Sequence, residues 1–593
     1  MNSQSLNHAP DGGAFEAEQE PFDAVVIGSG FGGSVAAWRL MQECPGKRVL
    51  VLERGMPYPP GSFARTPREM RTNFWDPDAW LYGLFEVWSF ERAKAIVASG
   101  LGGGSLIYAN VMLKKPPGTF TVPDGSGGVK DWPIDRAQLD DHYKAVKALL
   151  KPARLPEEYL KPSRASSAAV PKTQQFLEAA HGAALEKPKR AKLAITFAGA
   201  RGNELGAPLG SDNLHGRERH TCTLAGECDL GCNEGAKNTL DYTFLSEFQD
   251  AGGEIRTCCE VLDLALRDGA FRIRYCQHLP ARERVEDRAA ADDKRAEDGR
   301  LLDPSPGSLR SLTARVVVLS AGTFGSTRLL LRSRFGLPRL SQRLGHGFSS
   351  NGDLLTFARG CTDARTGRIR DLAPSRGPVI TAYARRTTEG QELWMEDAGG
   401  PPGSEWGWQL AEAGRDLWAM RGMLLPSRRP KGRASRLLAE LFGSTSSSSA
   451  MLPMLTMGRD VPGGSLRLDG DSLALDWDPA GSAEYFDAAE ETAAMVAEEL
   501  GGKLGPWLLR KRTRGTTAHP LGGCAMGASA EEGVVDDEGE VFGCPGLFVA
   551  DGSVMPGPVG PNPSFTIAAV AHLIGAAAAR RLNAQAAVNA GAD

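Results

Sequence analysis

Near its start the chain runs Phe22-Asp23-Ala24-Val25-Val26-Ile27, and the unbroken apolar stretch Ala24–Ile27 marks a strand buried on both faces. A glycine-rich turn, Gly28-Ser29-Gly30-Phe31-Gly32-Gly33, follows. After it come Ser34 to Met41, of helical composition, and a second strand, Arg48 to Leu52, closed by Glu53. The pattern predicts a β-α-β unit. Ala314 to Ser320 (ARVVVLS) repeats the buried-strand signal, with the turn Ala321-Gly322 and a helix through Leu331 behind it. Residues 280–312 carry many charges and few large apolar side chains, so a solvated loop between strands is expected there. From about 352 to 514 the texture changes to alternating strands, proline-rich turns and a serine patch, Ser444 to Ser449. After Gly515 dense Gly/Pro punctuation returns, then a strand, Leu547 to Ala550, and an alanine-rich helix, Thr566 to Leu582.

These elements predict an α/β protein of two domains. The first is a Rossmann-like, doubly wound sheet assembled from the discontinuous segments 21–130, 235–350 and 515–582. The second is an α+β domain built from 131–234 and 351–514 with connecting segments. Residues 1–20, polar and acidic, are expected to form a disordered lead-in.

Composition sharpens this outline at one point. Apolar residues make up 41% and charged residues 24% of 593, which excludes a disordered, collagen-like or disulfide-scaffold chain. Glycine stands out: there are 71, against a usual share of about 7%. Backbone must therefore turn sharply or approach something closely at many places. A net charge of -4 argues against a nucleic-acid partner. Ten cysteines in so long a chain are no disulfide framework. The N-terminus lacks the basic and apolar regions of a secretory signal, and no run of about 18 apolar residues occurs, so a cytoplasmic protein without a membrane-spanning helix is expected.

Gly28, Gly30 and Gly33 fit G-x-G-x-x-G between a strand and a helix, with Glu53 at the end of the next strand. In that setting Gly28 permits the turn, Gly30 lets backbone approach a pyrophosphate at the helix N-terminus, and Gly33 allows close helix-sheet packing. Glu53 can accept hydrogen bonds from ribose hydroxyls. The motif alone does not separate NAD from FAD. A second glycine-rich element, Gly100-Leu101-Gly102-Gly103-Gly104-Ser105, points to FAD, although by itself it equally fits a tight surface turn.

The FGGS variant of the first motif, GLGGGS, VVVLSAGTFGSTRLLL, HPLGGCAMG and GLFVADGSVMPGPVGPNPSFTIAA resemble, in order, the landmarks of the glucose-methanol-choline (GMC) oxidoreductases. The resemblance runs from residue 22 to about 582 and is nearest to the cholesterol oxidase branch that binds FAD noncovalently. It implies that Gly28, Gly30, Phe31, Gly32 and Gly33 hold the FAD diphosphate, Glu53 the adenosine ribose, and Gly102, Gly103, Gly104 and Ser105 the flavin side. Ala321 and Gly322 would lie near the adenine, and Asp551 and Gly552 by the ribityl chain and isoalloxazine. His519 matches the family's active-site histidine, and Asn562 its asparagine partner, which also touches the flavin. Both residue types suit alcohol oxidation: an imidazole accepts or orients the hydroxyl proton, and an amide donates to the developing oxyanion.

A third candidate lies in Leu393 to Pro401, after the Ser349-Ser350-Asn351-Gly352 segment. It resembles the Glu-x-Ala-x-x-Pro pattern on which bacterial cholesterol oxidases carry a catalytic glutamate, with Glu396, Ala398 and Pro401 in register. A carboxylate among apolar neighbours has its pKa raised and can shuttle a proton from C4 to C6 of a steroid. The alternative is a solvated surface carboxylate, with Asp397 beside it as a rival. Residues 403–451 read as an insertion. Its Trp406, Trp408 and Trp418 stand near Arg428, Arg429 and Lys431, the composition of a lid touching lipid or, equally, of a surface subdomain. Cys222, Cys228 and Cys232 have neither zinc-finger nor ferredoxin spacing, and no metal is expected.

The function expected is therefore FAD-dependent oxidation of a secondary alcohol, a 3β-hydroxysterol, with electrons passing to dioxygen and with Δ5 to Δ4 isomerisation if Glu396 serves it. The alternatives are a GMC dehydrogenase of long-chain, terpenoid or sugar alcohols with a non-oxygen acceptor, and a flavin- and lipid-binding protein without turnover.

Overall fold

The structure, a computed structural model, describes residues 16–18, 20–79, 81–123, 128–160, 169–198, 204–278, 308–388, 390–401, 450–505 and 515–590. The opening unit is β1, Phe22–Ile27, then α1, Phe31–Glu43, then β2, Val49–Leu52. The helix begins at Phe31, directly after Gly30, three residues earlier than side-chain composition suggests, because Gly32 and Gly33 are inside its first turn. There follow α2, Arg136–Leu150, capped by the reciprocal pair Asp135 and Gln138, then α3, Pro171–Gly182, and β3, Glu186–Arg190. Strands β4 (Glu254–Arg256), β5 (Cys259–Arg267), β6 (Ala270–Gln277) and β7 (Ser308–Leu319) lead to α4, Gly322–Ser333. The rest comprises β8 (Leu354–Arg359), β9 (Ala382–Thr388), β10 (Gln391–Asp397), β11 (Leu452–Gly458), α5 (Ala483–Glu499), β12 (Lys503–Leu504), β13 (Leu547–Val549) and α6 (Ser564–Ala590).

The first sheet has the order β4-β2-β1-β7-β6-β5. Strand β7 is its pivot. Its C-terminal half runs parallel to β1 on one side, Val317 opposite Val25, and to β13 on the other, Val317 opposite Leu547. Its N-terminal half, Ser308 to Ala314, is antiparallel to β6. The solvated loop expected over 280–312 therefore ends before Ser308. The strand starts there rather than at Ala314 because Ser308 to Thr313 pair with Gln277 to Arg272 of β6, and the inward Leu312, Ala314 and Val316 alternate with Thr313 and Arg315, a pattern that charge content obscures; residues 279–307 lie outside the described residues. The expected disordered lead-in is also ordered at its end. Glu16–Ala17 pairs in parallel with Arg310 and Ser311, and Glu18 accepts hydrogen bonds from Arg256 and Tyr275.

Helix α6 is longer than the alanine-rich stretch implied. An 18-residue stretch within Ser564–Gln585, of mean hydropathy 1.3, would suit a bilayer, yet 78% of it is buried inside the protein, and the helix packs on α1 and α2. Its apolar character serves the core. The second sheet, β3-β9-β10-β11-β8-β12, is antiparallel throughout. Helices α3 and α5 cover one face, where Phe176, Ala180, Ala493 and Val496 pack on Ala382, Ala384, Met395 and Met454. The opposite face presents Tyr383 and Trp394 to Val111, Leu193 and Cys228. Successive strand residues alternate between these faces, and that alternation decides the site.

Candidate active site

The two glycine-rich loops are stitched together by Ser29. Its amide donates to Glu53 Oε2 (3.0 Å), its hydroxyl donates to the same oxygen (2.5 Å), and the hydroxyl accepts from the Gly102 amide (3.0 Å). Gly55 N donates to Glu53 Oε1 at 2.8 Å. Close approach dictates the glycines: a Cβ on Gly32 would stand 1.6 Å from Ala550 O, and one on Gly103 2.5 Å from Gly30 Cα. Around the position of a Cβ on Gly104 there is nothing within 4 Å, so its backbone fronts open space beside the N-terminus of α1. This cradle of bare backbone fits a dinucleotide diphosphate. Glu53 already takes three protein donors but keeps a lone pair for a ribose hydroxyl. Ser105 turns inward, its hydroxyl donating to Gly102 O (2.7 Å) and accepting from Leu240 N (3.1 Å), so it shapes the loop. Phe31 packs edge-on against Tyr108, centroids 5.1 Å apart. Asp551 accepts from Gly322 N (2.9 Å), Ser326 Oγ (2.5 Å) and Ser553 N (2.8 Å), joining the Ala321-Gly322 turn to the Asp551-Gly552 turn.

His519 is oriented by Asp353. A carboxylate oxygen only accepts, so the 2.8 Å contact between Asp353 Oδ1 and His519 Nδ1 places the ring proton on Nδ1. The lone pair is then on Nε2. The other carboxylate oxygen accepts from Ala518 N (2.8 Å) and Thr517 Oγ1 (2.9 Å), and His519 N donates to Thr517 Oγ1 (2.8 Å), so the pair is fixed at both ends.

Glu396, on β10 of the second sheet, and Asn562, just before α6, meet. Asn562 Nδ2 donates to Glu396 Oε2 at 3.2 Å. Glu396 is fully buried on β10, and burial pushes its carboxyl up to about 8, opposed by the Asn562 bond and helped by the charges of Asp397 and Asp353. Among the described residues, Glu396 Oε1 and Asn562 Oδ1 have no hydrogen-bond partner. Two buried, unpaired oxygens on residues in contact are costly unless a bound group satisfies them, and a hydroxyl-bearing substrate would do so. Asp397 lies on the opposite face of β10. It accepts from Thr381 N (2.7 Å) and Ala382 N (2.6 Å) and sits 3.5 Å from Lys172 Nζ.

Asp353 is not legible as a site residue in the sequence; its signal is only its place two positions after Asn351 in the polar run from Ser349. Lys237 was missed too. Its buried ammonium donates to Leu106 O (2.9 Å), Tyr108 O (2.8 Å) and Cys228 O (2.8 Å), tying the end of the second glycine loop to the cysteine segment. Burial raises the Cys222 and Cys228 thiols above their usual range, and among the described residues no group of three or more His, Cys, Asp or Glu could hold a metal ion. The expected insertion over 403–451 lies outside the described residues except for Ala450 and Met451, both buried.

GMC oxidoreductase family models match residues 22–350 and 476–571. The chain is 27% identical to a cholesterol oxidase of Mycobacterium tuberculosis, over 93% of this chain and 90% of that protein. It is 26% identical to a cholesterol oxidase of Acinetobacter baumannii, over 93% of each. The crystal structure of pyridoxine 4-oxidase from Mesorbium loti shares the fold, with a TM-score of 0.55 at 17% identity over 94% of this chain and 99% of that one. The first of the matched segments alone exceeds half of the sequence, and the chain belongs to the GMC oxidoreductases, flavoprotein enzymes that act on alcohols.

Proposed function

We propose that this enzyme binds FAD noncovalently and oxidises a bulky apolar secondary alcohol, a 3β-hydroxysterol, with dioxygen as terminal acceptor and isomerisation of the product by Glu396. The observation that carries the reading is the contact between Glu396 and Asn562, a buried carboxyl held protonated near neutral pH beside an amide. The residues that would hold the cofactor are Gly28 to Gly33, Glu53, Gly102 to Gly104, Gly322 and Gly552. No cysteine or histidine stands among them, and the Ser29 hydroxyl and Glu53 carboxylate are already engaged with each other and with Gly55 N and Gly102 N, which supports noncovalent binding. Bound FAD supplies the two-electron acceptor for the carbinol hydride.

The chain's own residues handle the protons. His519 Nε2, freed by the Asp353 bond, accepts the hydroxyl proton as the hydride leaves. Asn562 stabilises the negative charge that develops on that oxygen. Glu396, once ionised, takes a proton from C4 of the Δ5-3-ketone and returns it at C6, giving the conjugated Δ4 isomer with no net change in charge. The support for a sterol is the Glu396, Ala398, Pro401 register together with the likeness to cholesterol oxidases. Steady-state turnover of cholesterol tests it: a conjugated enone and peroxide in equal amounts are expected. Flavin reduction by long-chain alcohols alone, with no peroxide, would establish the dehydrogenase instead.

A further inference from the structure

The loop from Ser349 to Asp353 lies between the two catalytic side chains and bonds to both of their segments. At one end Asp353 fixes His519. Two residues earlier, Asn351 grips the backbone that leads into Asn562. Its Oδ1 accepts from Val559 N (2.9 Å) and Gly560 N (3.0 Å), and its Nδ2 donates to Gly560 O and Pro561 O (both 3.3 Å). The amide is fully buried and every one of these partners is backbone. Asn351 itself holds the left-handed conformation, φ 55°, which asparagine tolerates better than most residues.

The loop is anchored from behind. Asp460 accepts from Ser349 Oγ (2.5 Å), Ser350 N (2.8 Å) and Ser350 Oγ (2.8 Å), and Tyr485 donates its hydroxyl to Gly352 O (2.7 Å). Ser349 also exchanges backbone bonds with Leu521, two residues beyond His519. A segment so tied transmits one set of coordinates to both partners.

We propose that Asn351 is a positioning residue and that the Ser349–Asp353 loop acts as a single jig, fixing Asn562 relative to His519. This rests on the reading of His519 and Asn562 as the catalytic pair. An amide displaced by about 1 Å can cost on the order of a hundredfold in rate, so the jig's effect should fall on the chemical step rather than on substrate binding.

The experiment compares Asn351→Gly with Asn562→Ala and the double variant. Glycine keeps the left-handed backbone without strain, so the change is confined to the loss of the four side-chain bonds, and a melt of each variant checks that it is folded. Each FAD-loaded protein is mixed anaerobically with cholesterol, and the midpoint potential of its bound flavin is measured separately. Expected for Asn351→Gly are a reduction rate lower by about tenfold or more at saturating cholesterol, an unchanged half-saturating concentration, and a potential shifted in the same direction as in Asn562→Ala. In the Asn562→Ala background the further loss should be under about twofold, because the residue that Asn351 acts through is gone. A normal rate and potential in Asn351→Gly, beside a slow Asn562→Ala, would overturn the proposal alone. An equal loss in both backgrounds would overturn it too, by showing a general structural effect. Full activity in Asn562→Ala would instead overturn the underlying reading of the catalytic pair.

Discussion

Glu396 and Asp397 are neighbours in the chain, and their carboxylates lie on opposite faces of one strand. Glu396 meets Asn562, 166 residues on, while Asp397 is spent on Thr381, Ala382 and Lys172. Strand alternation thus separates the carboxyl proposed for the chemistry from one committed to structure. Asp397→Asn should destabilise the protein by about 3 kcal/mol or more, since it leaves Lys172 buried without its counter-charge. Glu396→Gln should leave the melting temperature near neutral pH unchanged or raised, and abolish enone formation while flavin reduction by cholesterol persists. Thermal melts and product spectra of the two variants check this.

The elevated carboxyl of Glu396 sets two pH dependences. Its folded value of about 8 stands above the ordinary 4.5, so the folded state binds the extra proton between those limits. Stability from this group is complete below about 4.5 and declines as pH rises through about 8. Isomerisation needs the ionised form and should climb over the same interval, with an apparent pKa near 8. Melting temperature against pH, wild type minus Glu396→Gln, should show the decline. A flat difference curve would remove the basis for the raised value.

The Asp353 bond predicts a tautomer. Asp353→Asn keeps the shape of the side chain but can present an N–H to the ring, allowing the proton to move to Nε2. Flavin reduction should slow by about 10²-fold or more with FAD still bound. Stopped-flow absorbance on the FAD-loaded variant measures it.

Lys237 donates to the carbonyls of Leu106, Tyr108 and Cys228, the last of which also accepts from Gly231 N. Lys237→Met should cost about 3 kcal/mol or more by leaving buried acceptors unpaired, and should weaken FAD retention because Leu106 ends the second glycine loop. Urea denaturation and the FAD-to-protein ratio after gel filtration test both effects.

A buried histidine pair governs the acid side. His572 Nδ1 and His142 Nδ1 are 2.7 Å apart, so one ring donates and the other accepts. Burial, then the charges of His142 and Arg39, lower His572 to about 3 from 6.5. The unfolded chain takes up this proton first, so stability is complete above about 6.5 and falls as pH drops toward 3. Melts of His572→Leu should show a shallower acid decline than the wild type.

The sequence made the first sheet legible because its central strands are buried on both faces and read as plain apolar runs. It also exposed the glycine turns, since close backbone approach admits no other residue, as Gly32 against Ala550 O shows. Less legible was the N-terminal half of β7, whose alternating pattern is hidden by neighbouring charge. Asp353 and Asn351 were hidden for a different reason. Their partners are 166 and 208 residues away, and no local pattern announces a bond over that separation. The motif around His519 named the imidazole but not the group that sets its tautomer. Glu396 was legible only as a spacing; the face of the strand it occupies needed β9 and β11 beside it.

In the proposed mechanism His519 removes the proton of an alcohol held beside FAD. Anaerobic titration of the FAD-loaded protein with cholesterol tests it most directly, with His519→Ala measured alongside. Loss of the visible flavin absorbance in the wild type, and its persistence in His519→Ala with FAD retained, is the expected result. Equal bleaching of both proteins, or bleaching of neither, would contradict it.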